Sequence, residues 1–283
     1  MQTRFWKAFL AITCVAAGVI SVPLLGMSEE VAPLIKFLET PSGIRFSWLG
    51  EKTSRPAPTL FFFVKDMQST LEREDVAQVT RLLAKEGFIS VSLDLPCHGA
   101  DEKPGETRRL ACWSARVENG DSLVPAFVSK ASEVLDFLIQ NGYTDPARVA
   151  ACGISRGGFM AIHFTAADSR VKCVAAFAPV TDLLLLNEFS EATNTAAARA
   201  LSVTNVADKL IGRGVWVYIG NNDERVGTDA AIAFARLVTH RAAGKEHPVN
   251  VKLTVDSSEG HGVGPSAHGA AAEWIAAQLA VIR

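Results

Sequence analysis

Gly153-Ile154-Ser155-Arg156-Gly157-Gly158 is the stretch on which the reading of this chain turns. It follows a short apolar run, Val149 to Cys152, and leads into a helical pattern from Phe159 to Ala167. Strand, sharp turn and helix therefore meet with a serine at the apex. A nucleophilic serine needs that shape. The tight turn lifts the hydroxyl clear of the sheet edge, and flanking glycines leave room where a Cβ would clash. The backbone N–H of Arg156, at the helix start, then points toward where an oxyanion would form.

A hydroxyl is a poor nucleophile near neutral pH and needs a base, which in turn needs an orienting acid. Downstream, Val215 to Ile219 has the apolar density of a buried strand, followed by the loop Gly220-Asn221-Asn222-Asp223-Glu224. Val249 to Val255 alternates apolar and polar residues as a strand does, and the loop Glu259-Gly260-His261-Gly262 follows it. Ser155, Asp223 and His261 thus each sit just past the C-terminal end of a predicted strand. In an open parallel sheet those ends share one rim, where ligands bind. Glu224 is the rival acid, and His268, on the helix after the histidine loop, is the rival base. His163 lies within the helix after the elbow and is read as a packing residue.

The order serine, acid, histidine resembles the α/β-hydrolase superfamily, and within it the dienelactone hydrolase and prolyl-oligopeptidase-like branch. The matching pieces are Gly153 to Gly158, Gly220 to Val226, Gly260-His261-Gly262, and Asp94-Leu95-Pro96-Cys97-His98-Gly99, which is similar to that superfamily's loop after its fourth strand. The resemblance spans roughly residues 43 to 283. It implies two oxyanion donors, the Arg156 N–H and one from the loop after Thr59 to Val64. Relatives usually carry His-Gly at that second point, where this chain has Lys65-Asp66-Met67. The N–H of Met67 is the expected donor and that of Asp66 the alternative. An aspartate near an oxyanion is unfavourable unless its carboxylate turns away or pairs with Lys65.

The remaining pattern agrees with a doubly wound, mostly parallel sheet with helices on both faces. Further strands are read at Ile44 to Leu49, Thr59 to Val64, Ile89 to Leu95 and Cys173 to Phe177. Helices are read at Glu72 to Gly87, Ser122 to Asn141, Thr228 to Ala243 and Pro265 to Ile282. Strands alternating with helices at these lengths build parallel sheets through right-handed crossovers. Residues 181–212 are long for a connection; they form either a small cap over the site or helix and loop packed on the sheet.

Composition bounds the rest. With 283 residues and 48% hydrophobic content the chain can fill a sizeable core. Its formal net charge of −2 gives no electrostatic case for nucleic acid. Arg4 and Lys7 precede an apolar run from Ala8 to about Leu25, the layout of a secretory signal. Residues 1–28 are therefore expected to be a signal peptide, or an anchor giving a membrane tether through residues 4–25, ahead of a hydrolase domain at 29–283. Export to the periplasm or beyond would place the protein in an oxidising compartment. There Cys97 and Cys112 either bridge, pinning a loop beside the rim, or stay as two thiols. That loop also carries His98, Trp113 and Arg116, which are expected near the substrate pocket; a surface loop with one anchoring aromatic is the alternative.

The expected chemistry is acyl transfer through Ser155 on a small-to-medium carboxylic ester, with no metal or organic cofactor needed. A serine peptidase is the alternative from the same resemblance. A non-catalytic binding protein on a hydrolase scaffold is the alternative that the Lys65-Asp66 loop favours.

Overall fold

The computed structural model describes residues 35–121, 123–246 and 250–280. The strands are β1 (Lys36–Glu39), β2 (Arg45–Leu49), β3 (Ala57–Phe63), β4 (Ile89–Ser92), β5 (Thr144–Ile154), β6 (Val171–Phe177), β7 (Gly214–Asn222) and β8 (Val251–Glu259). The helices are α1 (Met67–Glu72), α2 (Gln78–Lys85), α3 (Arg109–Glu118), α4 (Leu123–Gln140), α5 (Arg156–Ala167), α6 (Thr195–Ala200), α7 (Thr228–Ala242) and α8 (Pro265–Ala280). All eight strands form one sheet in the order β1-β2-β4-β3-β5-β6-β7-β8. β1 and β2 pair antiparallel, and from β4 onward every pairing is parallel.

Why β3 can be apolar at nearly every position follows from this layout. Successive side chains point to opposite faces, and a parallel sheet is covered on both. Phe61 and Phe63 enter the core beneath α4, α5 and α7, together with Phe127, Phe164 and Phe234. Leu60 and Phe62 enter the opposite core, with Val79 and Leu83 of α2 and Ala271, Ile275 and Leu279 of α8. The same alternation divides β7: Val217 and Ile219 face one way, Trp216 and Tyr218 the other.

The structure revises some of the sequence expectations and decides between others. The helix expected over Glu72 to Gly87 is shorter, Gln78–Lys85, and a first helix, Met67–Glu72, precedes it. Asp66 caps the first, and the acid-rich turn at Arg73 to Asp75, closed by an Arg73–Asp75 ion pair, separates them. β1 and α3 were not anticipated. Residues 181–212 are not a separate cap: they form 3-10 turns and α6, and Leu183, Leu186, Phe189, Val203 and Leu210 merge with the core on the α5 and α7 side. The expected signal or anchor at residues 1–28 lies outside the described residues. No helix among the described residues is long and apolar enough to cross a membrane.

Candidate active site

β5 ends at Ile154 and α5 begins at Arg156, so Ser155 alone makes the turn. It sits at φ 58° and ψ −119°, a backbone region that residues with a side chain rarely enter. Backbone bonds hold it there. Its N–H donates to Phe177 O at 2.8 Å, and its carbonyl accepts from Phe159 N–H at 3.1 Å and Val180 N–H at 3.2 Å. The glycines are equally constrained. A Cβ on Gly153 would lie 2.3 Å from the Gly157 carbonyl, and one on Gly157 would lie 1.9 Å from Phe63 O. The start of α5 can press against the end of β3 because no side chain stands between them.

Asp223 follows β7 and is 1% exposed. Its Oδ1 accepts from the N–H groups of Arg225 at 3.0 Å and Val226 at 3.2 Å, and its Oδ2 faces His261 Nδ1 at 2.8 Å. Thr228 closes the loop, accepting from Asp223 N–H at 2.9 Å and donating to Gly220 O at 2.6 Å. Opposite a carboxylate, the imidazole carries its proton on Nδ1, which leaves Nε2 as the basic nitrogen. The histidine loop is tied at both ends. Gly260 N–H donates to Asn222 O at 3.1 Å. Gly264 N–H donates to the Tyr218 hydroxyl at 3.0 Å, which in turn donates to Asp256 at 2.6 Å. The Tyr218–Asp256 support went unread in the sequence, although a tyrosine near the end of a buried strand was its visible sign.

The rivals stand elsewhere. Glu224 is exposed. His268 is 3% exposed and packs edge-on against Phe177, and burial pushes its pKa down. His163 donates to Leu201 O at 2.9 Å within the core. Registered pairing of Ile154 with Phe177, and of Phe177 with Tyr218, sets the serine, acid and histidine loops on one rim. Among the described residues the Ser155 hydroxyl has no hydrogen-bond partner, so His261 is joined to Asp223 but not yet to the serine. Such bonds commonly tighten only when substrate arrives.

Three expected site residues need correction. Met67 is the first residue of α1, and its N–H donates to Asp94 Oδ1 at 2.7 Å. It is therefore already engaged by a carboxylate. Among the described residues the Asp66 N–H, the alternative, has no partner beyond its own carboxylate, which lies against it. Its carboxylate turns toward Ser69, accepting from that residue's N–H at 2.8 Å and from its hydroxyl. Trp113 is fully buried, donates to Pro96 O at 2.7 Å and packs on Phe159, so it anchors the loop rather than lining a pocket. Arg116 pairs with Asp101 and Glu106 and holds the same loop from within.

His98 does line a cavity, of about 500 Å³, together with Lys65, Asp66, Met67, Asp94 and Arg109. Its Nδ1–H donates to Pro96 O at 2.9 Å, and its Nε2 accepts from Arg156 at 2.9 Å. Accepting from a guanidinium leaves Nε2 without a proton, and burial, with the Arg156 charge adding to it, pushes the His98 pKa down. Cys97 and Cys112 form a disulfide, with Cα atoms 6.1 Å apart, fastening the His98 segment to α3. Cys152 and Cys173 are buried free thiols.

The pattern of the prolyl oligopeptidase family matches residues 128–281, more than half of the chain, including the elbow, the acid loop and the histidine loop. The chain belongs to the prolyl oligopeptidase family. It is thus an α/β-hydrolase of serine hydrolase type. No curated protein matches it in sequence. Similar solved structures include TT1662 from Thermus thermophilus (17% identity, TM-score 0.65, 87% of this chain and 98% of that one). Another is a cold-adapted esterase from an Arctic intertidal metagenomic library (17% identity, TM-score 0.60, 86% and 92%). A third is Porphyromonas gingivalis dipeptidyl peptidase 4 (16% identity, TM-score 0.61, 87% and 35%). The chain therefore spans about a third of that peptidase's length.

Proposed function

We propose that this member of the prolyl oligopeptidase family hydrolyses small-to-medium carboxylic esters through an acyl-enzyme on Ser155. The observation that carries the reading is the Asp223–His261 contact at 2.8 Å on the rim that also presents a strained elbow serine. His261 Nε2 removes the Ser155 proton as Oγ attacks the carbonyl carbon. The tetrahedral oxyanion is held by the N–H groups of Arg156 and Asp66. His261 then protonates the leaving oxygen, and water, deprotonated by the same nitrogen, releases the acid and restores the hydroxyl. Each oxyanion donor contributes on the order of 10²-fold to the rate.

Ester rather than peptide substrates are favoured by the solved structures that match this chain over nearly all of their own length, one of which is an esterase. Peptidase activity remains the second reading, supported by the family and by the likeness to dipeptidyl peptidase 4. Export is part of the proposal, supported by the signal-like N-terminus and by the Cys97–Cys112 disulfide, since such bonds persist in oxidising compartments.

A fluorophosphonate probe tests the chemistry: labelling of the native chain that disappears in Ser155→Ala is expected. Absence of labelling would instead fit a binding protein on this scaffold. Parallel assays on p-nitrophenyl esters of graded chain length and on aminoacyl-anilides test the substrate. Faster cleavage of anilides would overturn the ester reading.

A further inference from the structure

We propose that the Ser155 site selects esters that carry a second, ionised carboxylate, which Arg156 and Arg109 bind. The inference rests on the hydrolase reading above and names its substrate class.

Arg156 follows the nucleophile directly in the chain. It is half-buried, and among the described residues its only hydrogen-bond partner is the Nε2 of His98, at 2.9 Å. The other described arginines that are half-buried or deeper all meet oxygen. Arg116 pairs with Asp101 and Glu106, Arg170 with Asp168 and Asp136, Arg225 with Glu188, and Arg148 with Asp145. Arg213 donates to three backbone carbonyls and Arg81 to two. Arg156 alone among them has no oxygen acceptor. Glu188, the carboxylate whose charge reaches Arg156, already pairs with Arg225, and Arg109 adds a further positive charge, so an arriving anion lowers the cost of holding these cations together.

The cavity beside it holds further cations that form no ion pair among the described residues. Arg109 lines it without an ion pair and holds a left-handed backbone at φ 59°, an uncommon conformation for a non-glycine residue. Arg45 and Lys65 line it as well, and neither forms an ion pair among the described residues. The acids there are already engaged. Asp94 accepts from Met67 N–H and Ala100 N–H, Asp66 caps α1, and Glu102 lies 3.9 Å from Arg108. The charge of Arg225 is matched by Glu188 at 2.6 Å. With Arg156 counted beside the lining residues, four cations (Arg45, Lys65, Arg109 and Arg156) meet three carboxylates (Asp66, Asp94 and Glu102), and three of the cations are guanidinium groups, whose planar fork fits the two oxygens of a carboxylate.

The experiment compares kcat/KM for two matched pairs. Mono-p-nitrophenyl glutarate is set against p-nitrophenyl pentanoate, and 4-acetoxybenzoate against its methyl ester, placing the carboxylate on the acyl or the leaving side. The native chain is expected to favour the anionic ester of at least one pair by about tenfold, the effect of one charge-assisted contact. The preference should reside in KM and shrink at high salt. Arg156→Gln and Arg109→Gln should each bring the ratio toward one, and Arg156→Lys should keep part of it. Ratios near one in the native chain, or ratios that survive both glutamine variants, would overturn the proposal. If no ester is turned over, the hydrolase reading fails and the anion site is read separately, by calorimetric titration of glutarate into Ser155→Ala. Binding that is lost in Ser155→Ala/Arg156→Gln supports the site, and absence of binding to Ser155→Ala overturns it.

Discussion

His261 Nδ1 and Asp223 Oδ2 stand 2.8 Å apart although 38 residues separate them in the chain. The acid is 1% exposed, whereas the imidazole remains partly open to solvent. The carboxylate is set by two backbone N–H groups before the ring meets it. That order of support suits an acid that would orient a base, as the proposed mechanism requires.

Asp223→Asn tests this directly. An asparagine side chain preserves shape but no longer selects the Nδ1-protonated tautomer, so Nε2 ceases to be a base. A fall in kcat of roughly 10³- to 10⁴-fold is expected, with the unfolding midpoint little changed. A variant within tenfold of native kcat would show that Asp223 is not the orienting acid. Glu224→Gln, at an exposed position, should leave kcat near native.

The elbow makes a sharper structural prediction. Gly157→Ala would push a Cβ to 1.9 Å from Phe63 O and 2.8 Å from Val64 N, both backbone atoms that cannot swing aside. Loss of about 3 kcal/mol or more is expected by urea unfolding, along with loss of fluorophosphonate labelling. Gly269, inside α8, has nothing within 4 Å of an added Cβ. Gly269→Ala should stabilise by about 0.5–1 kcal/mol, as for a helix interior glycine. Equal effects from the two substitutions would mean that the elbow is not crowded as described.

That the serine, acid and histidine loops share one rim was legible, because each follows a strand end marked by its own turn chemistry and a parallel sheet gathers those ends. The hydrogen bonding of the expected oxyanion donor was not legible. Whether the Met67 N–H is free depends on Asp94, 27 residues away, and no local pattern announces that bond. Trp113 and Arg116 were assigned to a pocket because they share a loop with His98, but their burial depends on tertiary partners at Pro96, Asp101 and Glu106. β1 escaped because three of its four residues are exposed, leaving no apolar alternation to read. α3 escaped because it begins at Arg109 in a conformation that local propensity disfavours.

The disulfide ties stability to the cavity wall. Cys97 precedes His98, and Cys112 lies one turn after Arg109, so the bond joins both wall residues across a sequence separation of 15. Closing a loop of that size removes unfolded-state entropy worth about 3 kcal/mol in the chain-entropy account. Cys97→Ser/Cys112→Ser should lower unfolding free energy by about 2–4 kcal/mol and raise KM more than it lowers kcat. A double variant with native KM would separate the bond from the substrate cavity.

Acid sensitivity should come first from histidines rather than carboxylates. Burial pushes the His163 pKa down to about 4 from its ordinary value near 6.5. As pH falls below 6.5 the unfolded chain takes up this proton while the folded chain does not until about pH 4. The unfolded state therefore binds more protons across that window, and stability declines through it. His98 and His268, also lowered by burial, act in the same direction. The His163 share amounts to about 2 kcal/mol between pH 7 and pH 5. His163→Gln retains a donor for the Leu201 carbonyl but cannot take up a proton. Urea midpoints across pH 5 to 7 should fall less steeply in this variant than in the native chain. Identical slopes would show that His163 does not carry the effect.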